Sequence, residues 1–451
     1  MAIASMLNAS PLDFTLIKKG TPEKANTLLV IGGIQGDEPG GFLAASLVGT
    51  KYTVTKGSLW VVPNLNFPSI VQQSRGTAGD MNRKFVHVDK KDPDYKTVTS
   101  IKSLILDKEV SMVVNLHDGS GFYREKVVDK YFNPKRWGNS CIIDQVKLDQ
   151  VKYGNLEQIA KRVADNINAN LQDEKHRYHV KNTKTAEGDQ EMLKSLTYFA
   201  VKNKKAAFAN ESSKMLPTHL RVYYQLLALE EYMRIAGIEF ERHFELTPEG
   251  VHNAINKDVY IAFFGDKLRL DLDNPRKKIG YFPMPKDKNL TFNASNPLTT
   301  IIKEKKGSNY DIYYGNRHLM KLHPQYFEYS SKHDSISVNV DGKEIDVKFG
   351  SSIKVDEYFN VKSGENIRVN VIGYVGDKSG DESGQKIEKK DIMHHYSIDK
   401  NGKKYRVEIY DTSEEDKFAG MFLVEFSKAQ PEEKNSFSVA MGEDKEEKIP
   451  N

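Results

Sequence analysis

Up to about residue 243, apolar runs that end in glycine or polar residues alternate with stretches of helical spacing; beyond it, short alternating segments take over. This switch limits the possible folds more than any other feature. "NTLLVIGGI" (Asn26 to Ile34), "GSLWVVPNLNF" (Gly57 to Phe67), "VSMVVNLHDGSG" (Val110 to Gly121) and "AAFANESS" (Ala206 to Ser213) read as strands. The first is a continuous apolar run, the pattern of a strand buried on both faces. "PGGFLAASLV", "NLEQIAKRVADNINANL" (Asn155 to Leu171) and "LPTHLRVYYQLLALEEYMRIAGI" (Leu216 to Ile238) read as helices, the last with proline near its start and glycine at its end. Alternation of this kind predicts an α/β domain over residues 1–243, a mixed sheet flanked by helices.

The second half carries "DVYIAFFG", "KIGYFPM", "YDIYYGN", "SISVNVDGKEIDVKFG", "NIRVNVIGYVG", "KYRVEIYD" and "GMFLVEFSKA", separated by turn signals such as "DG" and "NG". It predicts two small all-β domains, a sandwich or barrel over 244–332 and an Ig-like sandwich over 333–430, with a break at "SSKHDS". The charged stretch 431–451 reads as a mobile tail. A length of 451 residues is too great for one ordinary domain and agrees with this division.

Charge excludes little and favours little. The 66 basic and 62 acidic residues nearly cancel, and the lysines are scattered, which argues against a nucleic-acid partner. No apolar run approaches the ~20 residues of a membrane span, so no transmembrane segment is expected. "MAIASMLNASPLDF" lacks the charged and apolar regions of a signal peptide, and the reading here takes the signal as removed. Cys141 is the only cysteine, so no disulfide forms within the chain; it reads as a packed side chain. Protein partners leave no signal.

In open α/β sheets chemistry collects where strands end, and four polar groupings fall at such points. Gln35 and Glu38 stand three apart in a glycine-rich turn; they read either as two ligands of one ion or as a solvated turn. Glutamate suits zinc, and a glutamine carbonyl oxygen suits it less well than imidazole. His117, at the exit of an apolar strand, reads as a third ligand or as a bonded core histidine. In "SRGTAGDMNRKF", Arg75, Asn82 and Arg83 offer donors that fit a carboxylate, or form a surface loop with a salt bridge. Glu211 ends the last strand as a general base or as an acid at a helix start. Thr197 and Tyr198 line the pocket or simply pack, and His394–His395 read as strand neighbours facing opposite ways.

Taken in order, these residues resemble the metallocarboxypeptidase (zinc carboxypeptidase, funnelin) family over roughly residues 26 to 240. That family carries His-x-x-Glu after a strand, a second His after a later strand, an Arg followed by Asn-Arg, and a late Glu. The resemblance implies that Gln35, Glu38 and His117 hold one zinc ion, with Gln35 in the place of the first His. It implies that Arg75 polarises the scissile carbonyl, that Asn82 and Arg83 grip the substrate's terminal carboxylate, and that Glu211 is the general base. The glutamine departs from the family pattern and implies weak zinc retention. Gln-x-x-Glu with two trailing β domains is similar to the branch that trims peptidoglycan and sets helical cell shape in curved bacteria. This implies a periplasmic D,L-carboxypeptidase that shortens un-crosslinked muramyl tripeptide to dipeptide by releasing meso-diaminopimelate from γ-D-glutamate. The rival readings are an N-acyl amino acid deacylase of the same superfamily, which "GDMNRKF" also fits, and a non-catalytic peptidoglycan-binding scaffold.

Overall fold

Seven segments in the front half of the chain, the central ones built on apolar runs, form strands: β1 (Ile17–Gly20), β2 (Thr27–Ile31), β3 (Ser58–Val62), β4 (Val110–Gly119), β5 (Ser140–Ile143), β6 (His179–Asn182) and β7 (Ala206–Ser213). They make one sheet in the order β6-β5-β7-β4-β2-β3-β1. It is parallel at its centre, β7 to β4, β4 to β2 and β2 to β3, and antiparallel where β7 meets β5 and β1 meets β3. The expected mixed α/β sheet is therefore present. In this computed structural model the described residues are 3–4, 12–21, 26–286, 290–376 and 380–427, so the expected tail 431–451 lies outside them.

Helices cover both faces, as the unbroken burial of β2, β3 and β7 requires. The helices are α1 (Pro39–Lys51), α2 (Tyr95–Leu106), α3 (Leu156–Asn168), α4 (Leu196–Lys202), α5 (Thr218–Ile235) and α6 (Pro248–Asn256). α5 packs against α1 and α3 on one face, while α2 and α4 lie on the strands of the other. Close approach of α1 to β4 depends on glycine. A Cβ on Gly41 would come within 2.7 Å of the Leu116 carbonyl oxygen, and one on Gly40 within 2.2 Å of an Asp118 carboxylate oxygen.

Two local readings change. The strand read through Phe67 stops at Val62; Pro63 has no N–H for a ladder, and Asn66 caps a short helix, Phe67–Val71, by accepting from Ser69 N at 3.3 Å. The region after residue 243 is not wholly β. Helix α6 is capped by the Thr247 hydroxyl, which accepts from Gly250 N at 3.0 Å, and it buries Val251 and Ile255 against α1 and α5.

Beyond α6 all regular strands belong to small sheets. Two four-stranded sheets, one through Tyr260–Phe263 and one through Arg317–Phe327, share a continuous apolar core with the α/β unit. Two further four-stranded sheets, Ser335 to Phe426, face each other over a separate core containing Val338, Phe359, Val407 and Phe422. The last unit grips the middle one through polar bonds. Arg406 donates to the carbonyls of Gly280 and Tyr281 at 3.1 and 3.2 Å, and Lys404 pairs with Asp271 at 2.8 Å. His394 and His395 lie in a 3-10 turn (His394–Tyr396), not a strand, and Arg276 donates to the His394 carbonyl at 2.8 Å.

Candidate active site

Three segments meet at the carboxyl ends of β2 and β4. The turn after β2 is pressed against the Phe67–Val71 helix so closely that a Cβ on Gly36 would stand 2.0 Å from the Ser69 carbonyl oxygen. That turn carries Gln35 and delivers Glu38 to the N-cap of α1. His117 comes from β4. All three side chains are buried. His117 Nδ1 lies 2.9 Å from Glu38 Oε2 and 3.2 Å from Gln35 Oε1, and Asp118 N donates to the same Glu38 oxygen at 3.2 Å.

Each of these side chains is held from behind. Gln35 Nε2 donates to Asp80 Oδ1 at 2.8 Å, which turns the amide oxygen toward His117. The other Asp80 oxygen accepts from Arg75 Nε at 3.0 Å, and the Arg75 guanidinium stands 3.7 Å from Glu38 Oε1. Behind the imidazole, His117 Nε2 lies 2.8 Å from the Asn115 amide nitrogen, while Asn115 Oδ1 has no partner among the described residues. Exchange of the amide's nitrogen and oxygen, groups of nearly equal shape, pairs that oxygen with Nε2–H and leaves a lone pair on Nδ1.

The donor set fits a divalent cation. Tetrahedral ligands at zinc distances lie about 3.3 Å from one another, close to the Nδ1–oxygen separations of 2.9 and 3.2 Å. No group of three His, Cys, Asp or Glu side chains suited to a metal occurs among the described residues; the third donor here is an amide. Glu211 Oε2, from the strand paired with that of His117, is buried and has no hydrogen-bond partner among the described residues. A buried carboxylate oxygen left without a partner fits a neighbouring cation.

Glu211 stands beside His117 because β7 and β4 are parallel and in register at that pair. Burial pushes its carboxyl up to about 8; the neighbouring charges of Glu38 and Asp118 act in the same sense, and His117 opposes them. Burial likewise raises Asp118 to about 6 against the pull of Arg221, whose Nη1 donates to Asp118 at 2.7 Å. For His117, burial favours the neutral ring, yet the hydrogen bond and charge of Glu38 outweigh it and the net shift is upward. Asp80 moves downward: its burial is outweighed by the Gln35 hydrogen bond and the charges of Arg75 and Arg83.

The Arg83 and Asn82 pair lies on the same loop as Asp80. Asn82 is buried and its Oδ1 accepts from Leu196 N at 2.9 Å, leaving Nδ2 without a partner among the described residues. Arg83 Nη1 donates to the Asn82 carbonyl at 3.0 Å, and its Nε meets Glu191 at 3.4 Å. Thr197 and Tyr198 sit in the first turn of α4, next to the Leu196 amide that Asn82 holds. Thr197 is buried, with its hydroxyl 3.2 Å from Ser195 Oγ. Tyr198 is half-buried and donates its backbone N–H to that same Ser195 oxygen at 3.2 Å. Neither contacts the Gln35 cluster. Sequence reasoning missed Asp80, Asn115, Asp118 and Lys214, whose Nζ meets Asp37 at 2.6 Å and Glu38 at 3.7 Å. Asp80 lies two residues before Asn82 and Lys214 three after Glu211, so proximity to the motifs was the available signal.

Residues 5–256 match the family described as the catalytic region of a carboxypeptidase controlling helical cell shape, and residues 329–427 match the C-terminal domain of a metallo-carboxypeptidase. The chain is 40% identical to the cell shape determinant protein Csd4 from Helicobacter pylori, covering 92% of this chain and 100% of that one at a TM-score of 0.81 for the apo structure. The tripeptide-bound structure of that protein gives the same identity and coverage with a TM-score of 0.80. Its mDAP-bound form, described as a D,L-carboxypeptidase, is also 40% identical, covering 91% and 100% of the two chains at a TM-score of 0.80. No curated protein sequence matches the chain. Matched over more than half its length by the family's catalytic model and at 40% identity by a solved relative, the chain belongs to the metallocarboxypeptidases that control helical cell shape.

Proposed function

We propose that the chain is a D,L-carboxypeptidase that releases meso-diaminopimelate from γ-D-glutamate in un-crosslinked peptidoglycan tripeptide, working in the periplasm with zinc held by Gln35, Glu38 and His117. One observation carries the reading: the Gln35, Glu38 and His117 donors converge on one point with Glu211 beside them in strand register. A cation bound there supplies Lewis acidity to a carbonyl and a water. Every other part is assigned to the chain's own side chains. Asn82, through its free Nδ2, and Arg83 dock the substrate's terminal carboxylate, which restricts cleavage to the last residue. Thr197 and Tyr198, beside that pair, are assigned to the pocket wall. Arg75 faces the cation site and stabilises the oxyanion of the tetrahedral intermediate. Glu211 accepts a proton at its unpartnered Oε2 and returns it to the leaving amine.

The two trailing β units, taken as 244–332 and 333–430, supply none of the side chains assigned above. The test is incubation of the zinc-supplemented protein with disaccharide tripeptide and disaccharide pentapeptide, followed by mass spectrometry. Loss of one diaminopimelate from the tripeptide alone is expected, and both chelator and Glu211→Gln are expected to abolish it. Intact tripeptide at every zinc concentration would overturn the reading.

A further inference from the structure

Away from that site, the three units border a cleft of about 810 Å³. Its lining includes Lys277, Lys278, Arg317, His318, Lys321 and Lys400 and no acidic side chain. Backbone bonds fix the segments that supply these residues. Lys321 N donates to the Lys277 carbonyl at 3.0 Å, and Lys400 N to the Asn274 carbonyl at 3.0 Å. On the catalytic side Gln73 closes the cleft by donating from Nε2 to the Asn316 carbonyl at 2.7 Å. Gln73 precedes Arg75 by two residues, at most about 7 Å of chain. The catalytic wall of the cleft therefore adjoins the loop that carries Arg75.

The cations divide into two groups. His318 is paired with Asp311 at 2.8 Å, Lys321 is bonded to Glu304, and Arg317 donates to Asn256 Oδ1 at 2.8 Å. Lys277, Lys278 and Lys400 are exposed and have no ion pair among the described residues. The backbone thus sets three exposed cations around one cleft, although the chain as a whole is almost neutral at +4. Such an arrangement suits a ligand with several negative charges. The proposed substrate offers one kind in abundance. In polymeric peptidoglycan the peptide stem being trimmed has neighbours, and each neighbour bears free carboxylates.

We propose that this cleft binds the carboxylates of peptide stems adjacent to the stem in the active site, and so holds the enzyme on the polymer. The proposal rests on the peptidoglycan reading above, but its test does not depend on turnover. The full chain, the triple variant Lys277→Gln/Lys278→Gln/Lys400→Gln and the matching triple Lys→Arg variant are sedimented with purified sacculi over a range of salt. A parallel set uses sacculi whose carboxylates have been amidated. Trimming of soluble disaccharide tripeptide is measured for all three proteins.

The Gln variant is expected to lose roughly tenfold in retention at low salt, the scale of charge-steered association, while the Arg variant keeps it and amidation abolishes it for every protein. Trimming of the soluble tripeptide is expected to be unchanged in the Gln variant. Equal retention of the Gln variant and the unaltered chain overturns the proposal, as does retention on amidated sacculi. An equal loss of soluble turnover also overturns it, because the lysines would then serve the active site or the fold. If no protein trims tripeptide but the retention pattern holds, the cleft stands and the carboxypeptidase reading falls.

Discussion

Asp80 Oδ1 accepts a hydrogen bond from Gln35 Nε2 at 2.8 Å. An amide has two ends, and only one can bind a cation. The carboxylate selects which end faces His117, and its second oxygen holds Arg75 at 3.0 Å. One side chain thus orients the proposed metal donor and the proposed oxyanion donor together. Asp80→Ala is expected to weaken zinc affinity about 10- to 100-fold, the usual cost of losing an orienting partner behind a ligand. Competition against a zinc-binding dye measures this; an unchanged dissociation constant would mean that the amide finds its orientation without help.

Gln35→His replaces a neutral carbonyl donor with an imidazole, a better ligand for zinc. Affinity is expected to rise at least about tenfold in the same dye competition. Equal affinity would remove Gln35 from the ligand set and return it to the solvated turn considered from sequence.

Arg75 is half-exposed, so its removal should spare the fold. Arg75→Ala is expected to cost about 3 kcal/mol of transition-state stabilisation, the typical loss for one oxyanion donor. The loss should fall mainly on kcat. Arg83→Ala should instead raise KM for tripeptide, since a docking contact is made in ground and transition states alike. Steady-state kinetics on both variants separates the roles, and the reverse pattern would exchange them.

The raised Glu211 carboxyl has a consequence for stability without metal. Its folded value is about 8, against an ordinary 4.5. Between those values the folded chain holds a proton that the unfolded chain has released, so stability falls as pH rises through that window. Glu211→Gln removes the group. The Tm of chelator-treated protein is expected to drop below that of the Gln variant progressively between about pH 5 and about pH 8. Parallel Tm curves in scanning calorimetry would show that Glu211 is not desolvated as described.

The central strands β2, β3, β4 and β7 were legible in the sequence because each contains an apolar run, and β7 appears over the residues expected, Ala206–Ser213; β1, β5 and β6 are short, β1 and β6 are rich in polar residues, and none of the three was read. Helix α6 was not, although Thr247, Pro248 and the Val251–Ile255 spacing mark it, because the surrounding alternation suggested strands. Among the site residues, Gln35, Glu38, His117 and Glu211 fall at strand ends and could be found by position. Asp80, Asn115 and Lys214 stand near those motifs, but no role could be read for them: each is an ordinary polar residue in a loop or strand until folding brings it against a partner. The basic cleft was invisible for the same reason, since its lysines come from segments more than 100 residues apart, Lys277 and Lys400.

The register of Glu211 with His117 makes the spacing of the proposed base and the proposed metal ligand a property of the sheet itself. Neighbouring strands run about 4.8 Å apart whatever the loops around them do. Loops bearing Arg75 or Asn82 can lengthen, shorten or exchange residues, and the separation of Glu211 and His117 stays the same. A one-residue insertion inside β4 or β7 has the opposite effect, turning the side chain to the far face and silencing the enzyme at once. Substrate choice and reaction geometry can therefore drift independently in such a chain, the first in its loops and the second held fixed by two adjacent strands.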